Sequence, residues 1–508
     1  LIHRINKPMS LNGPLKILLL NGPCTEHFAR TGRWQATSRG ASLWYPIWLA
    51  SATSVLEENG HITKLVDSPA AQLNLKETID LIRDFAPDLC VIDTSTASIF
   101  YDLRTAFHIK KDVSPQIRVC MVGPHASAVP DDLIVNESVD FVAIGEFDYT
   151  VRDLVERLAK DIEDDGDGIL GLWCNVDEKI IKNGPRDLIR NLDELPFASK
   201  AIFNHLYLNH YELDFTLHPY MDIMTSRGCP SKCTYCLWPQ TITRGKYRMR
   251  SLENVFSEIE FTLSQNIKIN EFFFDDDTFT IQPDRIKEFC ARYSHMKTGI
   301  PFSVNSKANI TDENLLMTMK KTGLRCLVVG FESGNQDILD NVKKGTRLIE
   351  MKTFADLCHK IGIQVHGDFV LGLTGETKET IDETIRFAKT LNLSTFQVSI
   401  AHPLPGTAFY NWLDEKGYIT THDYADWIDD NGAQNCIISY PNLSSEEIEE
   451  SIDYAISKYY FSSHMLKTAT RQILNDPHEI YRYARGAKRL ARYFFNNSFS
   501  GDHFFKKS

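Results

Sequence analysis

The sequence predicts an α/β protein in three parts: a doubly wound parallel sheet over residues 1–165, a second series of β/α units over 216–405, and a helical region over 406–508. Three observations carry this. Short apolar runs alternate with helical stretches from residue 16 to about 160, the alternation resumes at Met221 and lasts to about Ala401, and helical spacing alone dominates after Gly406. Strands that alternate with helices pair in parallel, because each crossover helix returns the chain to the same end of the sheet. At 508 residues the chain exceeds what one core usually holds, so two or three domains are expected.

In the first part, KILLLNGP, HITKLVD, PDLCVIDTST, IRVCMVG and VDFVAIGEF read as five strands. Between them, WLASATSVLEENG and LKETIDLIRDFAP carry apolar residues at helical spacing. The result is a Rossmann-like sheet, and such sheets bind ligands beyond the carboxyl ends of their strands. Loops 21–23, 94–98, 123–127 and 145–148 fall there, and their small residues let a large ligand approach the backbone. The alternation fits any flavodoxin-like domain and by itself names no ligand.

The acidic run DIEDDGDG at 161–168 is a solvated turn, since a calcium loop in this register would need Glu where Leu172 stands. LWCNVDEKIIKNGP reads as a hairpin and NLDELPFAS as a linker, so 166–215 joins the two α/β parts. In the second series YMDIMTS, NEFFFDDDTF, PFSVNSK, RCLVVGFES, IQVHGDFVLGL and TFQVSIAH read as six strands. Reactive groups of β/α barrels gather at the strands' carboxyl ends. The polar residues placed there are Asp275, Asp276 and Asp277; Ser303, Asn305 and Ser306; Glu332 and Ser333; His366 and Asp368; and Gln397, Ser399 and His402.

Right after the first of these strands stands TSRGCPSKCTYCLWPQ, with Cys229, Cys233 and Cys236 spaced C-x3-C-x2-C. Structural zinc is normally closed by four ligands, and electron-transfer cubanes usually take four cysteines. Three thiolates at this spacing point to a four-iron cluster with one iron left open. The competing readings are chance clustering among eleven cysteines and a zinc site completed by His205, His210 or His218. Gly228 and Pro230 force an irregular loop at the strand's end, which favours the open-iron cluster.

Composition narrows the function classes. A formal charge of −12 excludes a general nucleic-acid binder, which needs a basic footprint. No apolar stretch approaches the ~20 residues of a membrane span. The start, LIHRINKPMS, lacks the apolar core of a signal peptide, and scattered cysteines with a reduced cluster place the chain in a reducing cytoplasm.

The cysteine loop, with Tyr235 just before its last cysteine, resembles the radical S-adenosylmethionine (SAM) superfamily. The resemblance implies a partial (β/α)6 barrel, a [4Fe-4S] cluster on Cys229, Cys233 and Cys236, and SAM chelated to the open iron and cleaved to a 5′-deoxyadenosyl radical. In FFFDDDTF, Asp275 and Asp277 are expected to face the cavity and hold the SAM amino group, with Asp276 turned to a helix cap, because strand side chains alternate. Ser303 on the next strand joins this set. Glu332, with Ser333, resembles the strand-four acid that contacts SAM. GDFVLGLTGET, with Gly367 and Asp368, resembles the strand-five motif that packs on adenine; it lacks the Lys-Ser/Thr of a phosphate loop. VSIAHPLPGT (398–407), which contains Ser399 and follows Gln397, resembles the strand-six adenine contact. Tyr235 is expected to shield the cluster or touch adenine, and His366 and His402 to meet substrate.

Preceding such a loop, the first sheet resembles that of the cobalamin-binding (B12) subclass, through SLWYPIWLA at 42–50 and VGPHAS at 122–127. Expected cobalamin contacts are Trp44, Tyr45, Thr94, Ser95, Gly123, His125, Ser127, Gly145 and Glu146. No D-x-H-x-x-G element supplies a histidine to cobalt. Base-off cobalamin without a protein histidine ligand is therefore expected, and His125 should contact the cofactor's tail or cap a loop. The strings CLWPQT, EFFFDDDTF, VGFESG, VHGDFVLGL and QVSIAHPLPGT look like the hopanoid-associated branch, which makes the cyclitol ether headgroup of bacteriohopanepolyols and is similar to archaeal calditol synthase. That implies contraction of a lipid-linked hexose to a five-membered carbocycle, with a flavodoxin or ferredoxin as electron donor. The rival is a B12-dependent C-methyltransferase with the same cofactors. A non-catalytic iron–sulfur or cobalamin sensor is a third reading.

The region 463–508 carries +6 although the whole chain carries −12. On a helix Arg482, Arg485, Arg489 and Arg492 form one stripe, beside an apolar stripe of Tyr483, Ala487, Leu490 and Phe494. A basic amphipathic helix of this kind is expected either to lie on an anionic membrane or to pack with a solvated basic face.

Overall fold

The computed structural model describes residues 13–30, 35–38, 42–162, 164–176, 179–310, 312–475, 477 and 479–498. They form two compact units. One holds the residues up to Gln35, Tyr45–Tyr207 and Leu237–Arg244; the other holds Ala36–Trp44, Leu208–Cys236 and the chain from Gly245 onward.

The first unit is built on seven strands: β1 (Lys16–Asn21), β2 (Ile62–Asp67), β3 (Leu89–Asp93), β4 (Arg118–Val122), β5 (Phe141–Ala143), β6 (Leu172–Val176) and β7 (Lys179–Lys182). Their order is β2-β1-β3-β4-β5-β6-β7, with the first five parallel. β1 is buried after Lys16 and β3 throughout, the mark of a parallel sheet covered on both faces. The chain order reverses between β1 and β3, where ligands bind such sheets. Asn21 is in register with both Asp67 and Asp93 there, so three polar residues end three adjacent strands. The hairpin expected in the linker instead extends this sheet, β6 pairing antiparallel with β5 and β7 with β6. The acidic run before it folds as a turn in which Asp164 takes Gly166 N at 2.8 Å and Arg157 Nε at 2.6 Å.

The second unit carries six parallel strands in chain order: β8 (Tyr220–Ile223), β9 (Glu271–Phe274), β10 (Phe302–Ser306), β11 (Leu324–Glu332), β12 (Gln364–Leu371) and β13 (Thr395–Ile400). This is the expected partial (β/α)6 barrel. Half-buried residues recur at every second position: Val328 and Gly330, Asp368 and Val370, Gln397 and Ser399. One face of the later strands therefore lines an open interior. The free edge at β13 is covered by the helix Ser445–Tyr460, whose Tyr459 and Tyr460 hydroxyls donate to Leu393 O at 3.0 Å and Phe396 O at 2.8 Å. Covering an edge removes its capacity to pair with another chain.

At the amino ends of the barrel strands lies a buried ionic knot. Arg325 donates to Glu271 at 3.0 and 2.9 Å, to Glu479 at 3.2 Å and to Gln364 at 2.9 Å. Glu479 opens the last helix, Glu479–Ser498, and also pairs with Arg482 at 2.5 Å. The basic stripe of that helix is directed at the barrel: Arg485 pairs with Glu212, and Arg489 with Glu212 at 2.7 Å and Asp214 at 2.9 Å. Three of the four arginines of that stripe are thus paired with acids of the same unit. Tyr483 is half-buried and Ala487 exposed; the side chains of Leu490, Arg492 and Phe494 lie outside the described residues. Among the described residues no helix is long and apolar enough to cross a membrane.

Candidate functional site

The cysteine loop is suspended from the end of β8 by the carboxylates that follow β9. Asp276, 1% exposed, accepts from Thr225 N at 2.5 Å, Thr225 Oγ1 at 2.6 Å and Ser226 N at 2.9 Å. Asp277 accepts from Gly228 N at 3.0 Å, and Gly228 takes φ +92°, a left-handed turn that glycine adopts freely. Asp276 thus braces the loop, which corrects the helix cap expected for it; the strand ends at Phe274, so the alternation of side chains no longer governs the next three positions. Asp275 and Asp277 are both half-buried, Asp275 taking Asn305 Nδ2 at 2.8 Å.

Within the loop Cys236 N donates to Cys233 O at 3.3 Å, and Thr234 is stapled through both backbone groups, its N to Val342 O and its O from Phe409 N, each at 3.0 Å. Cys229, Cys233 and Cys236 are half-exposed, whereas every other cysteine except Cys24 is buried. Three accessible thiols on one rigid loop suit a cluster that must meet a ligand. Among the described residues no three His, Cys, Asp or Glu side chains converge as a single metal ion requires. Thiolates on separate corners of a cluster stand wider apart than the ligands of one ion.

Tyr235 and Glu332 lie against each other beside these cysteines; burial, then the Glu332 charge, pushes the Tyr235 hydroxyl well above its ordinary value. Glu332 pairs with Lys344 at 2.6 Å, both side chains being at most 10% exposed. Lys344 lies in no motif, and sequence reasoning missed it. The interior wall presents Asp368, Gln397 and Ser399, with Asp368 opposite Gln397 in register.

Five expected contacts stand elsewhere. Ser303 is fully buried and donates to Glu271, the first residue of β9, so it belongs to the amino-end knot and not to the mouth. Ser333 is buried too, bonded to Thr384 Oγ1 at 3.1 Å and taking Asn335 N at 3.1 Å, which spends its hydroxyl on helix packing. Gly367 is small because Leu393 fills its space: a Cβ there would lie 2.5 Å from Leu393 Cδ1. His366 is buried low on β12, bonded to Thr395 Oγ1 at 2.6 Å and packed on Phe215; its Nε2 reaches Asp368 at 3.0 Å and so acts by positioning that residue. His402, at the end of β13, packs edge-on to Trp427, and burial pushes it down to about 4, so it is neutral near pH 7.

In the first unit the loops at the strand ends are tied together. Ser127 Oγ donates to Gly123 O at 2.8 Å and takes Gly145 N at 2.9 Å. His125 is fully buried, its ring bonded to Thr96 Oγ1 at 3.1 Å, so it caps the loop after β3; burial pushes it down to about 3. Thr94 and Ser95 are buried in the same loop. Gly123 takes φ +99°, and a Cβ would lie 2.0 Å from Asp93 Oδ1. Gly145 has open space where its Cβ would be. Tyr45 is buried, while Trp48, which sequence reasoning passed over, stacks on Trp238 at 5.2 Å; Trp44, which belongs to the second unit, is half-buried. Glu146 is turned away: it is 5% exposed and accepts Ile189 N of the linker at 2.9 Å, which corrects its expected place on the ligand face.

Asn21 Oδ1 and Asp93 Oδ1 are buried without a protein hydrogen-bond partner. Unmet polar atoms at a strand-order reversal suit a large polar cofactor such as cobalamin. Burial, chiefly, pushes the Asp93 carboxyl from 3.8 up to about 8. A carboxyl raised by folding stabilises fully below its unfolded value, and that contribution is lost as pH rises towards the folded one. Asp93→Asn is therefore expected to remove a slope of about 1.4 kcal/mol per pH unit between roughly pH 4 and 8. Urea unfolding of the cofactor-free protein at pH 5, 6.5 and 8 measures it; identical pH slopes in the two proteins would refute it.

The chain matches the radical SAM superfamily over residues 223–388 and the B12 binding domain over 36–155. It is 30% identical over 424 residues to an uncharacterized methyltransferase of Pyrococcus horikoshii, covering 83% of this chain and 89% of the relative. It is 26% identical over 385 residues to the anaerobic magnesium-protoporphyrin IX monomethyl ester cyclase of Rubrivivax gelatinosus, covering 74% of this chain and 67% of the relative. Its fold is similar to that of the radical SAM methyltransferase TsrM from Kitasatospora setae, solved with cobalamin and a [4Fe-4S] cluster, at TM-score 0.65 and 16% identity over 88% of this chain and 89% of that one. It is also similar to OxsB, solved with aqua-cobalamin and SAM, at TM-score 0.66 and 15% identity over 95% of this chain and 72% of that one.

Proposed function

Because this chain belongs to the B12-binding radical SAM enzymes, a family that works with a [4Fe-4S] cluster, SAM and cobalamin, we propose that it contracts a lipid-linked hexose headgroup to a cyclopentane cyclitol. Cys229, Cys233 and Cys236 would hold the cluster, and the loops after β1, β3, β4 and β5 would receive cobalamin. When bound, these groups supply a 5′-deoxyadenosyl radical able to abstract hydrogen from an unactivated C–H bond, and a one-electron partner for the substrate.

The chain's own residues do the rest. Asp276 and Asp277 fix the loop's entry so that the three thiols keep one geometry. Asp275 offers a carboxylate at the barrel mouth suited to the SAM amino group. Asp368, held from below by His366, offers with Gln397 and Ser399 a polar wall for adenine or sugar hydroxyls. Glu332 and Tyr235 keep a dry, hydrogen-bonded flank beside the cysteines. Electrons would come from a flavodoxin or ferredoxin.

The observation that carries the radical chemistry is the half-exposed three-cysteine loop at the carboxyl end of β8. Ring contraction rests on the strings around it, CLWPQT, EFFFDDDTF and QVSIAHPLPGT. A second reading, B12-dependent C-methylation, is favoured by the methyltransferase relatives. Incubating the reduced, reconstituted enzyme with SAM and a glycosylated hopanoid separates them by product mass: contraction leaves the mass unchanged, whereas methyl transfer adds a methylene and releases S-adenosylhomocysteine. Each of Cys229→Ala, Cys233→Ala and Cys236→Ala is expected to abolish SAM cleavage. Cleavage surviving all three would remove the cluster assignment.

A further inference from the structure

A buried cation sits beside the open-iron loop. Lysine is rarely buried, because its charge is costly to desolvate unless paired. Lys344 is nonetheless buried, and its ammonium meets Glu332 at 2.6 Å. The structure is shaped around this pair. Glu332 holds φ +67°, a left-handed conformation unfavourable for a non-glycine residue. Gly330 leaves the room it needs, since a Cβ there would lie 2.2 Å from Glu332 Oε1 and 3.0 Å from Lys344 Nζ. Two residues before Lys344, Val342 O takes the backbone N of Thr234, between the second and third cysteines. The pair is thereby fastened to the loop. Burial would discharge Lys344, but the Glu332 carboxylate keeps it protonated.

We propose that the Lys344–Glu332 pair sets the reduction potential of the cluster on Cys229, Cys233 and Cys236, the cation favouring the added electron and the carboxylate limiting the effect. The inference rests on that assignment of the cysteines. Reduction adds one electron from an external low-potential donor and no proton, so the site gains one unit of negative charge. In a low-dielectric setting a fixed cation stabilises the more negative state and a fixed anion destabilises it. Lys344 is in this sense a tuning residue, since it acts through the cluster's field.

The test is an EPR-monitored titration with dithionite on the reconstituted full-length chain, without SAM, for wild type, Lys344→Met, Lys344→Arg and Glu332→Gln. Iron content and the EPR signal of the wild type check the cluster itself, so its absence there would overturn the cysteine assignment and this inference with it. With the cluster present, Lys344→Met is expected to disfavour reduction at least tenfold, about 59 mV for a one-electron couple. Glu332→Gln should shift the potential the opposite way, and Lys344→Arg should stay near wild type. If Lys344→Met does not load iron, the opposite shift in Glu332→Gln and the retained value in Lys344→Arg decide. Coincident potentials, or Met and Gln variants moving the same way, would overturn the tuning role, because loss of packing alone has no sign.

Discussion

Replacing Arg325 with methionine is expected to destabilise the barrel unit by about 3–5 kcal/mol, the usual cost of stranding one side of a buried ion pair. The guanidinium is the hub of the amino-end knot, and Glu271 and Glu479 are both fully buried around it. Without it the buried Glu271 and Glu479 each lose a cation, Glu479 keeping Arg482, and the last helix loses one of the contacts of its first turn. Burial pushes Glu479 up, but Arg482 and Arg325 together hold it below its ordinary value. A depressed carboxyl contributes stability above its unfolded value and loses it as pH falls through the folded one, so acid should weaken wild type through this group and weaken Arg325→Met less. The double variant Arg325→Met, Glu271→Gln should recover much of the loss, because Glu479 keeps Arg482 as its partner and no buried charge is left unpaired. Urea unfolding followed by two probes, since two units need not melt together, gives the values. A single variant within 1 kcal/mol of wild type would show that the knot is dispensable.

The same knot marks where sequence reading stops. The amphipathic pattern of 479–498 was legible, with arginines on one stripe, because helical period alone produces it. Which surface those arginines meet was not, since Asp214 lies 275 residues before Arg489. The alternation of strands and helices was legible throughout, each parallel strand being a local apolar run. The β6–β7 hairpin was seen as a hairpin but not as part of the sheet, because joining an edge antiparallel leaves no local mark.

In the site, legibility followed how local the chemistry is. The cysteine spacing and the carboxylates after β9 are contiguous, and the structure brings Asp275, Asp277 and the loop together. Ser303 and Ser333 were misplaced because a serine's neighbours are set by register and helix packing; one lies a layer too deep and the other is spent on Thr384. Gly367 read as a ligand glycine, whereas the pressure on it comes from Leu393. Lys344 left no signal, since its meaning arises only when the chain returns it to Glu332.

Asp276→Ala should empty the cluster site while leaving the first unit intact. The carboxylate is the acceptor for two buried backbone N–H groups and one hydroxyl, at Thr225 and Ser226, each 1% exposed. Alanine strands those donors at about 1–3 kcal/mol each, more than the two-residue pairing of Ser226–Arg227 with Arg248–Met249 can absorb, so the residues leading to Cys229 should leave their positions. Asparagine keeps one acceptor oxygen but turns an amide towards a donor, and should fall between alanine and wild type. Iron per chain after reconstitution is expected to drop at least several-fold in Asp276→Ala, with cobalamin binding close to wild type. Asp275→Ala makes the contrast, because the Asp275 carboxylate takes Asn305 of the next strand, and this variant should retain iron while losing affinity for SAM. Full iron loading in Asp276→Ala would mean that Asp277 and the Thr234 staple suffice to hold the cysteines.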